Sequence, residues 1–274
     1  MSKTNETLQR LQEGVQAVFT SERFRQFLTF MARFRSYSAN NCILIASQRP
    51  DASLVASYTD WQRQHKRQVK KGAKSITILA PHTYKEQDPK TGEEHTLIGY
   101  HAASVFDVSD TYSPAGEPLP DFGSTVDCDV DGYLGLLEVL IKISPVPVDF
   151  EDIQSGAHGY FDRESLRIAI KKGMSEGQTI STLLHEQAHA WLHAKGAEHE
   201  KADRRTKEVQ AQAISYVVCQ ALDIPVDNEQ YSFDYIAGWS SGKDVKELKE
   251  SLDTIRKTSD QMLQDIENEL HKAA

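Results

Sequence analysis

The sequence predicts an α+β protein of two domains. Three observations carry that expectation. A length of 274 residues exceeds what one average domain needs and is ample for two modest cores. Apolar patterns of helical period give way, within the first half, to β-branched alternation. The stretch SPAGEPLPDFGS packs three prolines and two glycines into twelve residues, which cannot hold regular structure and reads as a linker. The expected division is residues 1–112, a linker at 113–124, and residues 125–274.

Taken in order, the first elements are helices. From Glu6 to Arg35, Leu8, Leu11, Val15, Val18 and Phe19, then Phe24, Phe27, Leu28, Met31 and Phe34, recur at steps of three and four, the spacing of two helices. A third, SANNCILIASQ, takes Ser38 as its N-cap and runs to Gln48 before Pro50 stops it. A fourth is expected around Tyr58 to His65, opening at Thr59 or Asp60. SITILAP and LIGYHAASVFDV then alternate as strands on either side of the polar, turn-rich EQDPKTGEEHT, which predicts a hairpin or small sheet. Past the linker come a helix near Tyr133 to Ile143, a strand pair in GYFDRESLRIAIKKG, a helix holding HEQAH, another from Thr206 to Leu222, and a last from Asp244 to Leu270. Leu248, Leu252, Ile255, Met262 and Ile266 give that last helix one apolar stripe, the mark of a packing helix.

Composition narrows the setting. No apolar run approaches the roughly 20 residues a membrane span needs. The opening MSKTNETLQRLQEGVQ lacks the apolar core of a secretory signal. Cys42, Cys128 and Cys219 are far apart with no C-x-x-C pair, as suits a reducing compartment. A cytoplasmic protein with no membrane partner is expected. The net charge of −9 is unevenly spread: residues 1–125 hold 15 Lys/Arg against 13 Asp/Glu, net +2, leaving 16 against 27, net −11.

In the acidic half, His185-Glu186-Gln187-Ala188-His189 has the H-E-x-x-H spacing. Four residues apart on a helix, the two imidazoles share a face and can reach one cation, while Glu186 stands beside it, placed as general base toward a metal-bound water. A polar helix face can carry the same five residues, so a third ligand matters. His193 lies about 12 Å along the axis from His185, too far to share the ion. Lys195 occupies the place of a metzincin's third histidine. Glu208, 19 residues after His189 at the start of the next helical pattern, can return to the histidines if the two helices are antiparallel. Ala211, Ile214 and Ser215 on that pattern leave room for close approach. Glu198, His199, Glu200 and Asp203 in the intervening turn stay open as alternatives. Two histidines and a carboxylate with an open fourth position make a catalytic set, suited to Zn2+, with Mn2+ or another divalent ion fitting the same donors. For an oxyanion, Tyr231, Tyr235, His158 and Tyr160 are candidates, and the sequence chooses none.

In the basic half, 13 Lys/Arg stand against four Asp/Glu between Arg23 and Lys90, and Arg63 to Lys74 holds six cations and no acid. Such a run is a solvated face or a phosphate footprint. Aromatic neighbours favour single strands, which bind cationic grooves with stacking platforms. Phe24, Phe27 and Phe34 follow a core stripe, so Tyr37, Tyr58 and Trp61 are the stacking candidates.

Two resemblances follow from these residues. LLHEQAHAWLH with KEVQAQAISYVV resembles the zincin-like metallopeptidase domains of ImmA/IrrE and ArdC type, matching at His185, Glu186, His189, Glu208 and Ala211, with Gln212 where an acidic or amide residue is usual. The segment from Tyr37 to Pro81 is similar to the N-terminal single-stranded-DNA-binding domain of ArdC-like antirestriction proteins, matching at Tyr37, Ser38, Asn41, Trp61, Val69, Lys71, Gly72 and Ile76. The order of the two parts matches as well, and the chain reads as a short version without transesterase, helicase or relaxase segments.

The resemblance implies an antirestriction protein of a mobile element that binds single-stranded DNA, with zinc on His185, His189 and Glu208, and Glu186 catalytic against a protein substrate such as a restriction subunit or repressor. The DNA contacts expected are Tyr37, Asn41, Trp61, Arg63, Lys66, Arg67, Lys70, Lys71 and Lys74. Two rivals remain: an ImmA/IrrE-like regulator that cleaves a repressor, and a DNA-binding protein whose metal site is structural or vestigial.

Overall fold

The structure is a computed structural model that describes residues 2–87, 94–116, 132–224 and 233–273. The chain forms two compact units, Met1–Ala17 with Asn40–Phe122, and Val18–Ala39 with Gly123–Ala274. By this grouping residues 18–39, which precede the expected linker, belong with the second unit. Most of the linker expected at 113–124 lies outside the described residues, as does Cys128.

In the first unit, helix α1 (Lys3–Val18) is followed, after the excursion, by α3 (Ala39–Gln48). A three-stranded sheet runs in the order β1 (Val55–Ser57), β4 (Glu94–Asp107), β3 (Ile76–Gln87), all antiparallel. The long β3–β4 pairing is the hairpin the alternating pattern predicts. Strand β3 is an edge, and its outward backbone groups are taken up by side chains of α3. Asn41 Nδ2 donates to Leu79 O and Asn41 Oδ1 accepts from Leu79 N, both at 3.0 Å. Two strand positions away, Gln48 does the same to Thr77, at 2.8 and 3.0 Å. Two amides seven residues apart thus stand in for a missing strand over the first outward groups of β3, at Thr77 and Leu79.

Helix α4 (Tyr58–Arg63) starts one turn-residue earlier than the sequence suggests, because Ser57 caps it, its Oγ accepting from Asp60 N at 3.1 Å. Strands β2 (Gln68–Val69) and β5 (Thr111–Tyr112) form a small second sheet, with a 3-10 turn at Val108–Asp110.

The second unit holds α2 (Ser21–Arg33), α5 (Gly132–Ile143), α6 (Glu176–His193), α7 (Arg204–Ala221), α8 (Ile236–Ser240) and α9 (Val245–Ala273) around a sheet ordered β6 (Val148–Glu151), β8 (Arg167–Lys171), β7 (Gly159–Asp162). The expected strand pair is β7–β8; β6, which runs parallel to β8, has no counterpart in the sequence reading. Helix α2 belongs here because its aromatic stripe finds rings here: Phe24 meets Phe233 at 5.2 Å and the preceding Phe19 meets Trp239 at 5.5 Å. Thr29 Oγ1 and Tyr216 OH, 3.0 Å apart, add a hydrogen bond. Among the described residues no helix is long and apolar enough to cross a membrane.

Candidate metal centre

Helix α6 begins at Ser175, whose Oγ accepts from Gln178 N at 3.3 Å, and α7 begins at Asp203, whose Oδ1 accepts from Thr206 N at 3.0 Å. Between them Ala188, Ala211 and Ser215 are fully buried, and Ser215 Oγ donates to Ser181 O at 2.7 Å. Small side chains and one hydroxyl bridge let the two helices close on each other. That approach brings Glu208, in the second turn of α7, level with the histidines of α6.

His185 Nε2 and His189 Nε2 face each other at 3.1 Å, and the Glu208 carboxylate oxygens lie 3.6 Å from the first and 3.7 Å from the second. Among the described residues these three make the single His/Cys/Asp/Glu group able to hold a metal, with one ligand atom from each all within 4.8 Å. Tetrahedral ligation with bonds of about 2.0–2.2 Å separates donor atoms by about 3.3–3.6 Å. The observed separations of 3.1, 3.6 and 3.7 Å bracket that figure to within about 0.2 Å, and two imidazoles with a carboxylate suit a divalent ion of borderline softness. The two imidazoles hold the Glu208 carboxyl well below the usual carboxylate range, so it stands ionised.

The alternatives in the turn are occupied elsewhere. Asp203 caps α7 and pairs with Lys243 at 3.7 Å. Glu200 accepts from Gly196 N at 2.8 Å and meets Arg163 at 3.3 Å. His199 Nε2 lies 3.3 Å from Thr254 Oγ1, and the Glu198 side chain is 89% exposed.

Glu186 is buried, yet it lines a cleft of about 290 Å³ together with His158, Gly159, Ser181, His185, Glu208 and Gln212. The edge strand β7 borders this cleft. Gly159 must stay bare, since a Cβ there would come within 2.7 Å of Thr182 Cγ2. The oxyanion candidates separate: His158 lines the cleft, and Tyr235 lies in an adjoining hollow with Glu208, its hydroxyl donating to Gln212 Oε1. Burial, with the Glu208 charge, pushes the Tyr235 hydroxyl pKa up. Tyr160 instead bridges Glu151 and Arg167 on the sheet, and Tyr231 falls outside the described residues.

His193, excluded above as a ligand, turns its Nδ1 to within 3.0 Å of His189 Nδ1 and its Nε2 to within 3.0 Å of Gln210 Oε1. Burial lowers its pKa to about 4, so it is neutral. Sequence spacing carries a signal for this contact: His193 stands to His189 as His189 stands to His185.

The expected nucleic-acid contacts occupy different settings in the structure. Trp61 is fully buried in a cluster with Ala56 and Val108, and its Nε1 donates to Phe106 O at 2.8 Å, so it offers no stacking face. Asn41 is spent on the sheet edge. Arg67 is buried, its Nε donating to Thr111 Oγ1 at 2.8 Å. Tyr37 lies in the other unit, edge-on to Phe34 with its carbonyl accepting from Arg256 Nε. Arg63, Lys66, Lys70, Lys71 and Lys74 are exposed along the segment from the end of α4 through β2 to the start of β3, Lys70 Nζ donating to Ser109 O. The exposed ring beside them in sequence is Tyr58, at 55%.

Comparison with known proteins adds two matches. Residues 3–106 match the family model for the N-terminal domain of anti-restriction factor ArdC, and residues 144–226 match that of the M78 peptidases, an IrrE N-terminal-like domain. An uncharacterized Bacillus anthracis protein is 27% identical over 317 aligned positions, covering 98% of this chain and 52% of the relative. The chain therefore spans about half the length of that curated relative. The metal-free crystal structure of the antirestriction protein ArdC from plasmid R388 superposes with a TM-score of 0.58 at 17% identity, covering 85% of this chain and 86% of that one. Its Mn(II)-bound form gives 0.56 at 16% identity, covering 84% and 85%. At such identities the likeness establishes a shared fold.

Proposed function

We propose that this chain, an ArdC-like protein carrying both the ArdC N-terminal domain and an M78 peptidase-like domain, is a divalent-metal-dependent peptidase that also binds single-stranded DNA in an antirestriction role. The observation that carries the peptidase half is the convergence of His185, His189 and Glu208 within 4.8 Å, with Glu186 on the wall of the same cleft. A cation held by those three residues would supply Lewis acidity, with zinc favoured and manganese compatible.

The chain's own residues do the rest. An extended peptide laid in the cleft can pair with the backbone of edge strand β7, which places a scissile carbonyl near the centre. Glu186 takes the proton of the attacking water and returns it to the leaving amine. His158 is the cleft-lining donor closest in kind to an oxyanion partner. A restriction subunit or a repressor is the substrate class this reading implies.

For nucleic acid, the exposed cations from Arg63 to Lys74 are the footprint, with Tyr58 as the stacking ring. The ArdC N-terminal match supports this half.

Glu186→Gln is the decisive variant. It is expected to keep metal affinity within about two-fold, measured by calorimetry, while peptide hydrolysis falls about 10²–10⁴-fold. Hydrolysis at the wild-type rate in this variant would remove the peptidase reading and leave a DNA-binding protein with a structural metal.

A further inference from the structure

We propose that Gln210, acting through His193, is the positioning residue that decides which nitrogen of His189 carries its proton, and so sets how tightly the centre holds a cation. This rests on the metal-centre reading above and extends it behind the ligands.

A line of polar groups runs back from the ligand cluster into the core. His189 Nδ1 meets His193 Nδ1 at 3.0 Å, His193 Nε2 meets Gln210 Oε1 at 3.0 Å, and Gln210 Nε2 donates to Ser251 Oγ at 3.4 Å. His193 and Gln210 are each 2% exposed and Ser251 is 5% exposed, so water does not replace a missing partner there. The i, i+4 spacing lines the three imidazoles up along α6, with ring centroids 4.8 and 5.1 Å apart and the rings inclined to one another by 72° and 56°.

Two facing Nδ1 atoms form a hydrogen bond only if one ring donates and the other accepts. A neutral imidazole carries one proton, so the choice at one ring dictates the other, and two arrangements are self-consistent. In the first, the Gln210 amide oxygen accepts from His193 Nε2–H. The bare His193 Nδ1 then accepts from His189 Nδ1–H, and His189 Nε2 presents a lone pair toward His185 and Glu208. In the second, the Gln210 amide is turned over and its nitrogen donates to His193 Nε2. His193 Nδ1–H then donates to His189 Nδ1, leaving the His189 proton on Nε2, where it blocks ligation. The observed amide, oxygen toward His193 and nitrogen toward Ser251, selects the first. A partner that fixes the ring orientation and proton position of a ligating histidine commonly accounts for 10–100-fold in metal affinity.

The test uses the full chain, with Zn2+ and Mn2+ affinities from competition with a chromophoric chelator, and nitrogen chemical shifts of the histidine rings in metal-free protein. Wild type is expected to carry the His189 proton on Nδ1. Gln210→Leu, which removes donor and acceptor at similar size, is expected to weaken both metals about 10–100-fold and to shift His189 toward the Nε2–H form. Gln210→Glu, which presents acceptor oxygens only, is expected to retain wild-type affinity or exceed it. Gln210→Leu binding within two-fold of wild type while folded by circular dichroism overturns the proposal, as does a wild-type His189 protonated on Nε2. If Gln210→Leu does not fold, Gln210→Glu with affinity lowered ten-fold overturns it in turn. His189→Ala separates the two levels: unchanged metal binding there refutes the metal centre itself, whereas lost binding there with intact binding in Gln210→Leu refutes only the role of Gln210.

Discussion

Lys66 has φ of 52°, a left-handed conformation that costs an L side chain about 1–2 kcal/mol relative to glycine. Its ammonium is exposed in the middle of the basic segment. A cation kept where glycine would be easier points to a use for the charge. Lys66→Gly is expected to raise the stability of the unit by up to about 1 kcal/mol in urea denaturation. The same change should weaken single-stranded oligonucleotide binding two- to five-fold in fluorescence anisotropy. If stability rises and binding does not change, Lys66 is a turn residue and leaves the footprint. At this scale the sequence is most readable where partners are close along the chain. His185 and His189 share a helix face by spacing, and Glu208 follows from the small residues of α7. The core place of Trp61 and the sheet-edge role of Asn41 were not readable because their partners, Phe106 and Leu79, stand 45 and 38 residues away.

Asp107 closes β4 and ties it to the start of β1, and its two carboxylate oxygens are fully used. Oδ2 accepts from Ser53 N and Leu54 N at 2.9 and 3.2 Å, and Oδ1 accepts from Ser109 N and Oγ at 2.9 and 2.6 Å. Burial opposes its charge, but these four bonds outweigh burial and hold its pKa below the ordinary value of about 3.9. A depressed carboxylate contributes stability that is present above the unfolded pKa and lost as pH falls through the folded one. The unit should therefore lose stability progressively below about pH 4. Asp107→Asn should lack that share of the acid dependence. It should also be about 1–3 kcal/mol less stable at pH 7, because an amide NH2 must face backbone N–H donors. Denaturation midpoints across pH 2–7 for both proteins check this; parallel curves would show that Asp107 carries no such linkage.

Long elements with one clear period were legible in sequence: the β3–β4 hairpin and helices α6, α7 and α9. Strands β1 and β6, at three and four residues, were not, since so short a run carries too little alternation and is fixed by its neighbours instead. Helix α2 was legible as a helix, whereas its grouping with the second unit was not. Its aromatic stripe says that it packs, and only the rings of Phe233 and Trp239 say where.

For the whole molecule, charge is unevenly distributed. Residues 1–125 are net +2 while the remainder is net −11, so a chain that is acidic overall still carries one basic segment. A nucleic-acid role would be missed on net charge and is visible only by segment. Phosphate contacts release counterions, with a log–log salt slope near −0.7 for each contact to a single strand. If Lys71 and Lys74 each meet a phosphate, Lys71→Ala/Lys74→Ala should lessen the slope by about 1.4 and lower affinity for all sequences alike. Both side chains are exposed, so the fold should not suffer. The informative comparison is with Glu186→Gln in the same titration. An unchanged slope in Glu186→Gln beside a reduced one in the lysine variant would assign binding to the basic segment and keep the metal centre out of it. An unchanged slope in both would mean that the segment is a solvated face, and the chain would then be read from its second unit alone, as a metallopeptidase-type regulator.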